Sequence, residues 1–184
     1  MPNLSRRFRF SLASLLFLVT VIALALGSYR AWKIASERAE LTSIFGGEER
    51  IAILAKPDKV EAYRLEKRTS AAFAEKFNDY RIKSGPTAVS TSDITKLQTV
   101  LTNRNIYFWE NAPKACIPSP GVRFDFIKGN ERLHILLCFE CNLLESWQND
   151  LCVGGRDFDP GRAKLLSIVK SIFPNDPDIQ ALRP

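Results

Sequence analysis

The chain has 184 residues, 46% of them apolar and 25% charged, with 9 Gly, 10 Pro and 4 Cys. This composition excludes a collagen-like fibre, a disulfide-dense miniprotein and an acidic disordered tail, and the length allows one ordinary domain with residues to spare. The net charge is +6, and half of it lies in residues 1–27 as Arg6, Arg7 and Arg9, so the rest of the chain is near balance and lacks a nucleic-acid footprint.

Ser11 to Gly27 reads SLASLLFLVTVIALALG, with no charge and no proline. As a helix these residues cover about 26 Å, near the apolar thickness of a bilayer, and Tyr29 suits its interface. A buried core helix would carry a polar face, whereas only Ser11, Ser14 and Thr20 interrupt this one. RAWKIASERAEL then continues as helix, with no breaker before Gly46-Gly47. The expected organisation is a basic flank at 1–10, a transmembrane helix at 11–29, a juxtamembrane stalk and linker at 30–47, and one domain at 48–184. A cleaved signal peptide has the same layout, and Ala23-Leu24-Ala25 or Ala25-Leu26-Gly27 would serve as its cleavage site. The dense bases before the span favour a cytoplasmic N-terminus, against Arg30, Lys33 and Arg38 after it. The domain would then lie outside the cytoplasm, anchored in the cell membrane.

The run Arg6-Arg7-Phe8-Arg9-Phe10-Ser11-Leu12, followed by Leu15-Leu16-Phe17-Leu18-Val19-Thr20, resembles a membrane-anchor segment that heads many otherwise unrelated proteins in certain bacteria. Its core is of the type F-S-L-R-T-L-L-L-L-V-T, and Ala13-Ser14 stand here in place of Arg-Thr. The resemblance implies a single-span bacterial membrane protein and no activity.

Beyond the Gly46-Gly47 turn, Ile51–Leu54 and Val60–Leu65 read as short strands split by Lys56-Pro57-Asp58. Thr69–Phe77 suits a short helix, with Phe73 and Phe77 four apart, and Tyr80–Ile82 a strand ending before Ser84-Gly85-Pro86. Ser92–Thr102 is a helix capped by Ser92, with Ile94, Leu97, Val100 and Leu101 on one stripe. Ile106–Trp109 reads as a buried strand.

The strongest strand signal is Val122–Ile127 with Leu133–Phe139 about a Gly129-Asn130 turn. That turn sets Phe126 against Leu133, Phe124 against Ile135 and Val122 against Leu137 on one apolar face. Arg123, Asp125, His134, Leu136 and Cys138 form a mixed opposite face. A second hairpin turns at Asn149-Asp150, between Leu143–Gln148 and Leu151–Val153, and Gly154-Gly155-Arg156-Asp157 reads as a tight turn. The last helix has Asp159 as cap, Pro160 in its first turn and Pro174 as stop, with Leu165, Leu166, Val169, Ile172 and Phe173 facing inward. The fold expected is α+β: an antiparallel meander with helices packed on one side.

Cys116, Cys138, Cys141 and Cys152 are the residues that hint at chemistry. Cys138-Phe-Glu-Cys141 is a C-x-x-C, but a zinc ribbon needs a second such pair. Thiol–disulfide catalysis needs a thiolate at a helix N-terminus, and this motif ends a strand. Extending the hairpin register sets Cys116 opposite residue 143, close to Cys141, so Cys116–Cys141 is the disulfide candidate in an exported domain. A metal site of Cys116, Cys138 and Cys141 is the alternative, and four packed thiols in a reducing compartment the plainest one.

Several motifs along the second half carry another likeness: K-x-C at Lys114, P-G-V-x-F-x-F at Pro120, L-L-C-F-x-C-N at Leu136, G-G-x-D-F-D-P-x-R at Gly154 and F-P-N-D at Phe173. Together they resemble a domain of exported or membrane-anchored bacterial proteins with no assigned activity. The likeness implies that Cys116, Cys138 and Cys141 belong together and that Cys152 is extra.

His134 is the sole histidine and so the sole possible triad base. No G-x-S-x-G, G-x-x-x-x-G-K-[ST] or G-x-G-x-x-G occurs. No cofactor and no catalytic residue is expected. The function expected is a non-catalytic binding or structural module on a single-pass anchor, its partners the bilayer at 11–29 and an unidentified protein, without nucleic acid. The alternative is an exported thiol–disulfide or metal-binding protein centred on Cys138 and Cys141.

Overall fold

The structure, a computed structural model, describes residues 12–67, 77–110, 114 and 116–184. Its contacts divide the chain into two units, the first ending at Ala39 and the second running from Glu40 to Pro184. The first unit is the greater part of one helix, α1 (Leu12–Phe45), whose apolar stretch has a mean hydropathy of 2.2 and is wholly unburied. At 1.5 Å per residue such a helix is about 51 Å long, more than the bilayer core requires. Thr20 donates its hydroxyl to the Leu16 carbonyl at 2.9 Å, so the apolar stretch keeps this polar group bonded within the helix. Tyr29 and Trp32 follow it, their ring centroids 6.2 Å apart.

The second unit is α+β, as the sequence patterning implied. Its elements are α2 (Glu48–Ala55), β1 (Lys59–Leu65), β2 (Ile82–Ala88), α3 (Thr91–Leu101), β3 (Val122–Lys128), β4 (Glu131–Cys138), β5 (Leu143–Gln148), β6 (Leu151–Asp157), α4 (Arg162–Ile172) and α5 (Pro177–Gln180). The six strands form one antiparallel sheet in the order β2-β1-β3-β4-β5-β6. Strand alternation sends Val60, Ala62, Val122, Phe124, Phe126, Leu133, Ile135, Leu137 and Leu144 to one face. There they meet Leu97 and Leu101 of α3, Leu165 and Val169 of α4, Ile53 and Leu54 of α2, and the end of α1 at Ile44 and Phe45. The β3–β4 register is the expected one, pairing Phe126 with Leu133, Phe124 with Ile135 and Val122 with Leu137. Gly129 takes φ 56 at the first turn position, as a type II′ turn requires.

Several expected elements are corrected. Ile51–Leu54 is not a strand but the middle of α2, whose Glu48 and Glu49 fill the first turn where negative charge suits the helix dipole. Four apolar residues in a row fit either element. The cap of α3 is Ser90 rather than Ser92, accepting from the Asp93 N–H at 3.1 Å. Ile106–Trp109 is no strand: Arg104–Ile106 forms a 3-10 turn, and Phe108 makes one backbone bond to the Asp157 carbonyl. The tail of the Thr69–Phe77 segment enters a 3-10 turn at Phe77–Asp79, and 69–76 lie outside the described residues.

The strand expected at Tyr80–Ile82 is instead β2, which begins at Ile82 and runs through Gly85-Pro86. As an edge strand beside β1 alone it tolerates a proline. Gly85, at φ 122, lies where any side chain would meet Tyr63. Gly154-Gly155-Arg156-Asp157 is strand and not turn, because β6 continues to Asp157. A Cβ on Gly154 would strike the carbonyls of Ser43 and Ile44, so the glycine marks a close backbone approach. Asp159 does not cap α4. It opens a 3-10 turn at Asp159–Gly161, and α4 starts after Gly161 without a side-chain cap.

Candidate functional site

Cys116, Cys138 and Cys141 lie where the middle hairpins meet the chain entering β3. Cys116 and Cys141 stand at disulfide distance, with Cα atoms 5.9 Å apart. Cys138, the last residue of β4, is buried and free, and Cys152 is exposed on β6. The C-x-x-C thus does not lie along a regular strand: Cys138 ends β4 and Cys141 sits in the loop before β5. Among the described residues, no three His, Cys, Asp or Glu side chains are grouped to hold a metal ion. Lys114 ties the same region together, donating to the Cys141 carbonyl at 2.8 Å and to the Asp159 carboxylate at 2.5 Å.

Beside this clasp lies a cleft of about 650 Å³, lined in part by Arg64, Lys83, Ser119, Phe139, Glu140 and Asp178. That is the size of a small-molecule site. Its basic groups are paired: Arg64 Nε with Asp176 at 2.7 Å, Lys83 with Asp178 at 2.8 Å, Lys67 with Glu140 at 2.7 Å. Arg64 is the buried anchor and also donates to the Gly121 carbonyl. Burial pushes the Asp176 carboxyl up, but the Arg64 hydrogen bond and the Ile179 N–H outweigh it and hold the group below its ordinary value. This site was not visible in the sequence, since Arg64 and Asp176 are 112 positions apart.

The second face of the sheet carries a polar layer. Asp125 is fully buried at its centre. Its Oδ1 takes the His134 Nδ1 at 2.7 Å, and its Oδ2 accepts from Arg123 at 3.1 Å and from Arg132 at 3.2 Å. Arg123 Nε sits 2.9 Å from Oδ1 but out of bonding direction, and is left without a hydrogen bond. The Arg123 guanidinium lies 4.1 Å over the Tyr63 ring, and Phe77 stacks on His134 at 4.1 Å. Tyr80 and Trp147 both donate to Glu145, at 2.8 and 3.1 Å. Of the expected mixed face, Arg123, Asp125 and His134 form one network on β3 and β4, with the Tyr63 ring of β1 against Arg123, while Leu136 packs with Leu65, Tyr80 and Trp147.

Histidine and aspartate here are paired as two members of a catalytic triad would be. The nearest thiol on the same strand, Cys138, is four residues along β4, about 13 Å at ~3.3 Å per residue, beyond hydrogen-bond reach. Asp125 is instead committed to two arginines and the imidazole, as a buried carboxylate must be. Asp157 and Asp159 do not face one another across a cleft as a glycosidase pair. Both are held by Lys114, at 3.3 and 2.5 Å.

No family model, curated protein or solved structure matches this chain. The two resemblances read from the sequence accordingly rest on their own residues.

Proposed function

We propose that this chain is a single-pass membrane protein, held in the bilayer by residues 11–29 with its basic flank in the cytoplasm. The second unit lies outside the cytoplasm as a non-catalytic binding or structural module. The observation that carries this reading is the pairing of an N-terminal apolar helix of bilayer-spanning length with cysteines at disulfide distance. Disulfides persist in oxidising compartments and not in the cytosol. Charge distribution supports the orientation, since Arg6, Arg7 and Arg9 crowd the short side. The cleft beside Arg64 is where a small ligand would sit, and the paired charges in its walls favour a neutral or zwitterionic one. Binding, rather than turnover, fits a site whose basic groups are each held by a carboxylate.

Alkaline extraction of membranes from expressing cells tests the anchor. The expected result is a full-length chain in the membrane pellet. A soluble product shortened near Ala25 or Gly27 would replace the anchor with a signal peptide.

A further inference from the structure

Three of the four cysteines converge at one corner of the second unit. Cys141 is paired with Cys116. Cys138 stands at the mouth of the loop that carries Cys141, a four-residue loop closed by the Cys138–Leu143 strand pair, with Asn142 at φ 55. Loops of this length are most often built around a type I turn. The first and fourth Cα atoms of such a turn stand less than about 7 Å apart, which overlaps the disulfide range. The segment after Cys116 touches both other sulfurs: the Ser119 N–H donates to Cys138 Sγ at 3.4 Å, and the Ile117 carbonyl oxygen is 3.7 Å from Cys141 Sγ. Lys67 reaches over the same turn to Glu140 at 2.7 Å, and that hydrogen bond and the carboxylate's charge hold its ammonium above the ordinary lysine value.

We propose that Cys141 is shared between two partners, so that Cys116–Cys141 and Cys138–Cys141 are alternative disulfides exchanged at this corner. The Cys138 thiolate attacks Cys141 Sγ. The Cys116–Cys141 bond breaks and its electron pair leaves on Cys116, which takes up a proton equivalent to the one Cys138 lost. One S–S bond forms and one breaks, so no oxidant or reductant is consumed. The exchange frees the strand-entry segment at Cys116. That segment supplies Ser119 and Gly121 to the cleft, so the isomer present sets how firmly one wall is held. The inference rests on the oxidised pair contained in the proposed function.

The test uses the full chain in detergent, with Cys152→Ser removing the exposed thiol. The protein is oxidised with oxidised glutathione, incubated at pH 8, quenched with acid, alkylated under denaturing conditions and mapped without reduction. Two disulfides are expected: Cys116–Cys141 with the label on Cys138, and Cys138–Cys141 with the label on Cys116. Their interconversion should speed up between pH 6 and pH 8, as the attacking thiolate fraction rises. Adding Cys116→Ser should shift the pairing wholly to Cys138–Cys141, and adding Cys138→Ser should abolish label on Cys116. Label confined to Cys138 at every time and pH overturns the proposal, whether or not the Cys116→Ser chain folds. Because the oxidation is done on purified protein, that result counts against the exchange and not against the extracytoplasmic placement.

Discussion

Asp125 and Asp159 are both carboxylates held by basic groups, yet their substitutions should differ sharply. Asp125 is fully buried between Arg123, Arg132 and His134, and removing it leaves buried positive charge without a counterion. Asp125→Ala should destabilise the domain by about 3–5 kcal/mol. Asp159 is partly exposed and anchors Lys114 and Asn142 rather than a helix end. Asp159→Ala should cost no more than about 1 kcal/mol. Urea denaturation of each variant measures both, and equal losses would contradict the central place given to Asp125. In the apolar layer, Ile135→Ala should cost about 2–5 kcal/mol by opening a cavity between the sheet and the helices that cover it. A neutral Ile135→Ala would mean that the β3–β4 hairpin is out of register.

At the scale of elements, the clasp and the β6 glycine offer two tests by melting temperature. Cys141→Ser should lower stability by about 3 kcal/mol in the chain-entropy account, Cys116→Ser by less because Cys138–Cys141 can still close, and the double variant should add little to Cys141→Ser. Cys152→Ser should do much less, since that thiol is exposed and free. Losses that add up across the four positions would contradict a single bridge. Gly154→Ala should be among the most damaging small changes, because its methyl would displace the Ser43 and Ile44 backbone. The elements also show how much of the fold was legible. The β3–β4 register followed from a tight turn and one face of matched apolar residues, both local in sequence. The helical stripe of α4 was equally local, and its five apolar positions are buried. By contrast, Ile51–Leu54 was too short to show a period, and the Gly154-Gly155 pair imitated a turn while serving a close packing contact. The heart of the Asp125 network was within reach, because its partners Arg123, Arg132 and His134 all lie on the β3–β4 hairpin, whose register sets Asp125 opposite His134. What no local pattern reports is the Tyr63 ring over Arg123, which needs β1 beside β3, a pairing of residues some sixty positions apart. The Arg64–Asp176 cleft escaped for the same reason.

For the whole molecule, acid should be the condition that unfolds the second unit. Glu61 is held below its ordinary value by hydrogen bonds from Lys59 and Tyr63, and Asp93 by Lys96 and Ser90. In Asp159, burial acts the other way but Lys114 and Asn142 outweigh it, and Asp176 behaves likewise through Arg64. A carboxylate with a depressed folded pKa contributes stability above its unfolded value and loses it as pH falls through the folded one. Stability should therefore hold at neutral pH and fall below about pH 4. A domain that grows more stable from pH 5 to pH 3 would contradict these assignments. The central claim, however, is one of placement: a helix in the membrane and a domain beyond it. A reporter pair fused after Pro184, one active only outside the cytoplasm and one only inside, tests it most directly. The account predicts activity from the outside reporter alone. Activity from the cytoplasmic reporter alone would put the domain in a reducing compartment, and would contradict both the orientation read from Arg6, Arg7 and Arg9 and the oxidised clasp.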